Sequence, residues 1–298
     1  GEGGGESGEH IALLVAEGEI VDGKSREGPF GGRSVGDRTL VEALQDIRDR
    51  HNIKAVVLRI DSPGGSGDAS DAVWQELRRL RREKPIIVSM GDVAASGGYY
   101  LACAGDEIVA GPATITGSIG VFGGKLNVLG LYRKLGLNIE TVSRGKHAQM
   151  LSPFRDFDAE ELARYQQSLD QFYHVFLGRV SEGRRLDPAM VDSVGQGRVW
   201  SGLAAKQRGL VDEFGGLYEA FQVARKRAHI SSNADIVVDV YPRPRRTIVQ
   251  RWLGGVFDEP GRDDSRLPGM TELAHWYRIA TFPAGAMLAL MPYTIRIE

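Results

Sequence analysis

Residues 85–100 read P-I-I-V-S-M-G-D-V-A-A-S-G-G-Y-Y. The run Pro85-Ile86-Ile87-Val88-Ser89-Met90 has the short, apolar, β-branched character of a buried strand. Small residues and two glycines then enclose one serine, Ser96, and residues 99–103 follow as a short apolar helix. A serine between a strand and a helix N-terminus sits on a tight turn with its hydroxyl outward. The first helical turn adds unpaired N–H groups and partial positive charge, and both favour a nearby oxyanion. The same serine also reads as an ordinary N-cap. The stretch alone leaves both readings open.

A second strand–turn–helix lies upstream. Lys54-Ala55-Val56-Val57-Leu58-Arg59-Ile60 has strand character and runs into Asp61-Ser62-Pro63-Gly64-Gly65-Ser66. Ala69, Val73, Leu77 and Leu80 then recur at helical spacing. Glycines in such a turn let the backbone approach a substrate and aim N–H groups at it. That suits half of an oxyanion hole at Gly64, with the Gly97 N–H as the other half. It equally suits a plain βα turn capped by Ser66.

The rest of the chain repeats the alternation. Residues 11–20 read as a strand, 28–36 as a Gly-rich loop, and Leu40, Leu44 and Ile47 mark a helix. Short strands are expected near 107–109 and 138–142. Asp158-Ala159-Glu160-Glu161 resembles a capping box opening a long helix to about Val180. This order predicts an α/β fold with a mostly parallel sheet covered on both sides. Both serine- and glycine-bearing turns then sit at the carboxyl ends of strands, where open α/β sheets place their sites. From about Asn233, Pro242, Pro244, Pro260, Pro268 and Pro283 break the pattern. The expected division is a Gly-rich linker over 1–9, a domain over 10–230, and an extension over 231–298 used in assembly or as an apolar rim.

Composition excludes several classes. The 298 residues are 42% hydrophobic with a net charge of −2, which argues against nucleic acid as a main partner. The single cysteine, Cys103, rules out an internal disulfide framework and reads as a core residue. No Cys/His cluster has metal-site spacing, and no phosphate-binding glycine loop joins a strand to a helix. No metal or cofactor is therefore expected. The first ten residues lack signal-peptide character. No segment reaches the roughly 20 apolar residues of a membrane span. The nearest, residues 279–291, is broken by Pro283; it reads as a packed helix or as an apolar rim for hydrophobic peptide or a bilayer surface.

Three blocks in order, I-D-S-P-G-G-S (60–66), S-M-G-D-V-A-A-S-G-G-Y-Y (89–100) and T-I-T-G-S-I-G-V (114–121), together with G-Q-G-R-V-W-S-G-L-A-A-K-Q-R-G-L-V-D-E-F-G-G (195–216), resemble the signal peptide peptidase A (protease IV) family. That family belongs to the ClpP/crotonase-like superfamily, with a mostly parallel sheet built from repeated ββα and βα units. The likeness covers about residues 10–230. It implies a Ser–Lys peptidase in which Ser96 is the nucleophile, Gly64 and Gly97 are the oxyanion donors, and Ser118 orients the lysine. The implied substrates are cleaved signal peptides and other hydrophobic peptides. Also implied are a bowl-shaped homo-oligomer and membrane association in the bacterial cell envelope, at the inner membrane.

One departure stands out. A serine hydroxyl is a weak nucleophile and needs an adjacent base, and a lysine serves only when neutral, which burial promotes. Single-domain members carry that lysine three residues after a glycine, on the loop after the 138–142 strand. Here the loop reads Ser143-Arg144-Gly145-Lys146-His147-Ala148-Gln149, and Ala148 fills the lysine position. Lys146 lies two residues early, on the same side of an extended segment but about 7 Å away. In double-length members the serine comes from the C-terminal half and the lysine from the N-terminal half. The chain resembles such a C-terminal half, so its lysine is expected from an N-terminal half or another chain, with Lys146 as the fallback base. His147 is a second fallback. His174 reads as a helix-surface residue, and His10, His51, His229 and His275 as surface or terminal ones. Two rival readings remain: a catalytically incomplete subunit or scaffold of the same fold, and a crotonase-like acyl-CoA enzyme, for which no nucleotide pocket or acid/base carboxylate is identifiable.

Overall fold

The computed structural model describes residues 8–27, 33–243 and 288–290. The chain begins with β1 (Glu9–Glu17), the short strands β2 (Glu19–Val21), β3 (Arg26–Glu27) and β4 (Arg33–Gly36), and α1 (Asp37–Asp49). Next come β5 (Ile53–Ser62), β6 (Gly64–Ser66), α2 (Gly67–Leu80), β7 (Ile86–Ala95), α3 (Gly97–Ala102), β8 (Glu107–Ala110) and β9 (Ile115–Gly117). Then follow α4 (Leu129–Lys134), α5 (Ala159–Arg184), α6 (Pro188–Val194), β10 (Val199–Ser201), α7 (Gly202–Gln207), β11 (Glu213–Phe214), α8 (Leu217–Arg227), β12 (Ile236–Tyr241) and β13 (Leu288–Leu290).

The main sheet runs β10-β9-β7-β5-β1-β12, with β8 on β7 and β11 on β8; its ladders are parallel except β9–β10. Alternation along the strands feeds two cores. From β5, Val56, Leu58 and Ile60 join α1, α2, α3 and α5 on one face. Ala55 and Val57 join Ala220 and Ala224 of α8 on the other. This two-sided burial explains why the strands read as continuous apolar runs.

β7 is longer than its apolar run suggests. Its first half pairs with β8 (Ile87↔Glu107) and its second half with β9 (Val93↔Ile115). The sheet therefore forks near Gly91, and the Pro-Gly-Gly turn and the Ser96 turn both lie beyond the fork. A second sheet, β13-β6-β2-β4-β3, covers the same end.

Several expectations are corrected or relocated. The 11–20 strand is broken at Gly18 into β1 and β2. Residues 138–142 form no strand. No described segment pairs with them, and Val142 is fully exposed with Ile139 37% exposed. Strand propensity without a neighbouring edge does not make a strand. His10 is not a free surface residue, since its Nδ1 lies 2.7 Å from Asp239 Oδ2 across the β1–β12 ladder. The main sheet continues past residue 230, because β12 pairs with β1 over six residues from Glu9↔Ile236 to Leu14↔Tyr241. Of the apolar stretch 279–291, only Leu288–Leu290 is described, and it is a strand. The linker up to residue 7, the loop over 28–32 and His275 lie outside the described residues. Among the described residues no helix is long and apolar enough to cross a membrane.

Candidate active site

Ser96 stands where β7 turns into α3. Its φ of +51° and ψ of −114° are unusual for a residue with a side chain, a conformation costing about 1–3 kcal/mol. Backbone bonds hold it there. The Ser96 N–H donates to Gly117 O at 2.8 Å, and Ser96 O accepts from Tyr100 N at 2.8 Å. The side chain makes no cap bond to α3. Ser96 is 1% exposed and its Oγ has no hydrogen-bond partner among the described residues. Buried hydroxyls nearly always find partners, so an N-cap role does not account for this serine.

Ser118 is its neighbour by register. Ala94↔Thr116 and Ala95↔Gly117 are parallel partners, so the next residue on each strand is a serine. Thr116 Oγ1 donates to Ala94 O at 2.7 Å and Thr114 Oγ1 to Gly91 O at 2.9 Å, fixing β9 against β7. From the far side, Ser118 N donates to Arg198 O at 2.8 Å, and β10 pairs antiparallel with β9 through Val199↔Gly117. Ser118 is 2% exposed and has a φ of +48°. The G-Q-G-R-V-W block thus backs Ser118, a role that its sequence alone does not disclose.

The Pro-Gly-Gly turn reaches the same place through the pairing of Ser62 with Ala94. Gly64 has φ +104°, and a Cβ on Gly65 would fall 1.9 Å from Ile20 O. Only glycine permits that approach. The Gly64 N–H donates to Ser62 Oγ at 3.1 Å, so an oxyanion there has to replace a hydroxyl acceptor. Gly97 opens α3, where first-turn N–H groups have no intrahelical partner.

The underside of α3 is clamped. The Tyr100 ring lies 4.6 Å from that of Phe176 and 6.1 Å from that of Phe172, both on α5. Its hydroxyl donates to Asp71 Oδ1 at 2.6 Å, and Arg179 Nε reaches the same oxygen at 3.0 Å. α5 passes so closely that a Cβ on Gly183 would lie 1.9 Å from Cys103 O. Cys103 is fully buried; burial pushes its thiol up to about 12, so it is a core residue and not a thiolate nucleophile.

The structure does not bring Lys146 to the serines. Its side chain is 72% exposed, and its Nζ lies 2.5 Å from Glu160 Oε2. His147 Nε2 lies 3.3 Å from the same carboxylate. Ala148 is exposed. The loop belongs to a largely exposed arm between Ser118 and α5, on which Leu126, Leu131, Leu135, Leu137, Val142 and Leu151 each face solvent. His174 is exposed on α5, as its spacing suggests.

Comparison with known proteins gives this geometry its context. Residues 78–231 match the model of peptidase family S49, and residues 36–113 match that of Clp protease. The chain is 38% identical over 267 residues to "Serine protease SPPA, chloroplastic" of Arabidopsis thaliana, covering 84% of this chain and 39% of that protein. It is 41% identical over 217 residues to "Protease 4" of Haemophilus influenzae, covering 72% and 34%. It is 37% identical over 226 residues to "Protease 4" of Salmonella typhi, covering 76% and 36%. The chain spans between a third and two-fifths of the length of these relatives. The S49 match takes in more than half of the chain, including Ser96, Ser118 and the block that backs them; the chain belongs to peptidase family S49, and its sheet is of the Clp protease type.

Proposed function

We propose that this chain carries the nucleophile of a Ser–Lys serine peptidase acting on extended hydrophobic peptides, cleaved signal peptides among them. One observation carries the reading: the β7–β9 register sets a strained, unpartnered, buried Ser96 beside Ser118. Ser96 Oγ attacks the scissile carbonyl and a neutral lysine takes its proton. The Gly97 N–H, with that of Gly64 once freed from Ser62, receives the oxyanion. The lysine returns the proton to the leaving amine, and water then resolves the acyl-enzyme. Ser118 Oγ holds the lysine amine in line.

The lysine comes from another half or another chain. The exposed apolar arm supports this, since an unpartnered stretch of leucines suits a protein interface better than water. It also fits a ring-like oligomer that admits unfolded peptide and excludes folded protein. Membrane association belongs to the whole assembly in the bacterial envelope. A second reading, a catalytically incomplete subunit, is favoured by Ala148 and by the Lys146–Glu160 pair. Hydrolysis of a fluorogenic apolar peptide separates them. The chain alone is expected to be nearly inactive, and co-expression with a lysine-bearing half is expected to restore turnover that Ser96→Ala removes. Turnover that never appears, or that survives Ser96→Ala, rejects the peptidase reading.

A further inference from the structure

We propose that Asp61 is a positioning residue, whose carboxylate holds a bulge in β7 that sets the Ser96 turn against the Gly64 turn. The inference deepens the peptidase reading above and rests on it. β5 and β7 keep one register from Val56↔Ile86 to Ile60↔Met90 and resume at Ser62↔Ala94. One residue of β5, Asp61, therefore faces three of β7: Gly91, Asp92 and Val93. A bulge leaves ladder groups unpaired and re-aims the strand that carries it. This one coincides with the fork, where β7 leaves β8 after Ser89↔Val109 and takes up β9 at Val93↔Ile115. The offset decides which residues of β7 come level with the end of β5, and so how Ser96 meets Gly64.

Two side chains of β5 meet the backbone on either side of the bulge. Arg59 Nη1 donates to Met90 O at 2.8 Å and to Ser89 Oγ at 3.0 Å on the entry side. Asp61 Oδ1 accepts from Val93 N at 3.1 Å on the exit side. Gly91 makes room for it, since a Cβ there would fall 2.9 Å from Asp61 Cγ. Asp61 O accepts from Gly18 N at 2.9 Å, which anchors the same residue to the break between β1 and β2. The tie thus joins a point three residues before Gly64 to a point three residues before Ser96. Stability alone gives no reason for an acid here. Burial raises the Asp61 pKa and outweighs the Val93 N–H and the Arg59 charge, while Asp92 and Glu17 add to the rise. A carboxyl raised on folding disfavours the folded state once pH passes its unfolded pKa, about 3.9. What the carboxylate supplies is geometry, an acceptor for the one N–H that leads into the Ser96 turn from the bulge.

The test compares Asp61→Ala with Asp61→Asn. Alanine leaves the Val93 N–H unpaired, whereas asparagine keeps an oxygen for it and sheds the charge. In the assembled enzyme, with a fluorogenic apolar peptide, Asp61→Ala is expected to lower kcat about 10–100-fold, the scale for residues that orient a reacting group. KM should stay within about threefold, because the loss falls on alignment in the transition state and not on peptide binding. Asp61→Asn should recover kcat to within about threefold of the unaltered enzyme. Hydrogen exchange on the chain alone is the second measurement and needs no activity. The Val93 amide should exchange about tenfold faster or more in Asp61→Ala, while that of Val88, in the ladder before the bulge, stays protected. Unchanged kcat in Asp61→Ala, an equal loss in Asp61→Asn, or exchange that leaves Val93 protected or rises equally at Val88 overturns the inference. Absence of Ser96-dependent turnover in the unaltered assembly rejects the peptidase reading instead, and the exchange result still decides whether Asp61 holds the bulge.

Discussion

Tyr100→Phe isolates the clamp that holds the Ser96 helix. The change keeps the ring between Phe172 and Phe176 and removes only the hydroxyl that donates to Asp71 at 2.6 Å. A hydrogen bond to a charged group contributes about 1.5–3 kcal/mol. Asp71 retains Arg179 at 3.0 Å and Gln75 at 2.6 Å, so the lower part of that range applies, about 1.5–2 kcal/mol. For a domain of this size that is a fall in Tm of about 3–8 °C. The loss should depend on pH. Burial raises the Asp71 pKa, but the bonds from Tyr100, Gln75 and Arg179 and the Arg179 charge outweigh it, and the carboxyl lies below its usual value. A carboxyl depressed on folding contributes stability above its unfolded pKa, about 3.9, and loses it as pH falls through the lower folded value. Thermal unfolding by circular dichroism from pH 7 downward should therefore show a constant Tm difference to about pH 4 that closes below it. A difference under about 1 °C at pH 7, or one that widens on acidification, would refute the clamp.

Other expectations concern the site directly. Ser96→Gly should be more stable than Ser96→Ala by about 1 kcal/mol, because glycine relieves the positive φ; equal denaturant midpoints would show that Ser96 is not strained. Ser118→Ala, in the assembled enzyme, should slow acylation about 10–100-fold, the scale for residues that orient a reacting group, while Ser96 stays the acylated residue; unchanged kinetics would leave Ser118 a turn residue only. Lys146→Ala should leave kcat/KM of the assembled enzyme within about threefold, a barrier change below about 1 kcal/mol. A loss of two or more orders of magnitude would make Lys146 the base after all.

Much of this arrangement can be read from the residues, but unevenly. The apolar runs of β5 and β7, the helical spacing of α2 and the Asp158/Glu161 box all appear where periodicity and capping chemistry put them, since each signal is local. β9 and β10 are three residues each, too short for periodicity, and they exist because Thr114, Thr116 and Arg198 tie them to neighbours distant in sequence. The pairing of Ser96 with Ser118 is thus a matter of register that no local pattern carries. The 138–142 stretch fails in the opposite sense: its β-branched residues promise a strand, but no described edge receives it. The Lys146–Glu160 contact joins a loop to the first turn of α5 and is equally invisible to spacing, as is β13 on β6.

Which serine becomes acylated decides whether Ser96 is the nucleophile. The protein in its natural assembly would be treated with a fluorophosphonate, digested, and its adduct located by mass spectrometry, beside the Ser96→Ala variant. One adduct on the peptide containing Ser96, absent from the variant although its unfolding temperature is retained, is the predicted result. An adduct on Ser118, or labelling that persists in Ser96→Ala, would contradict it.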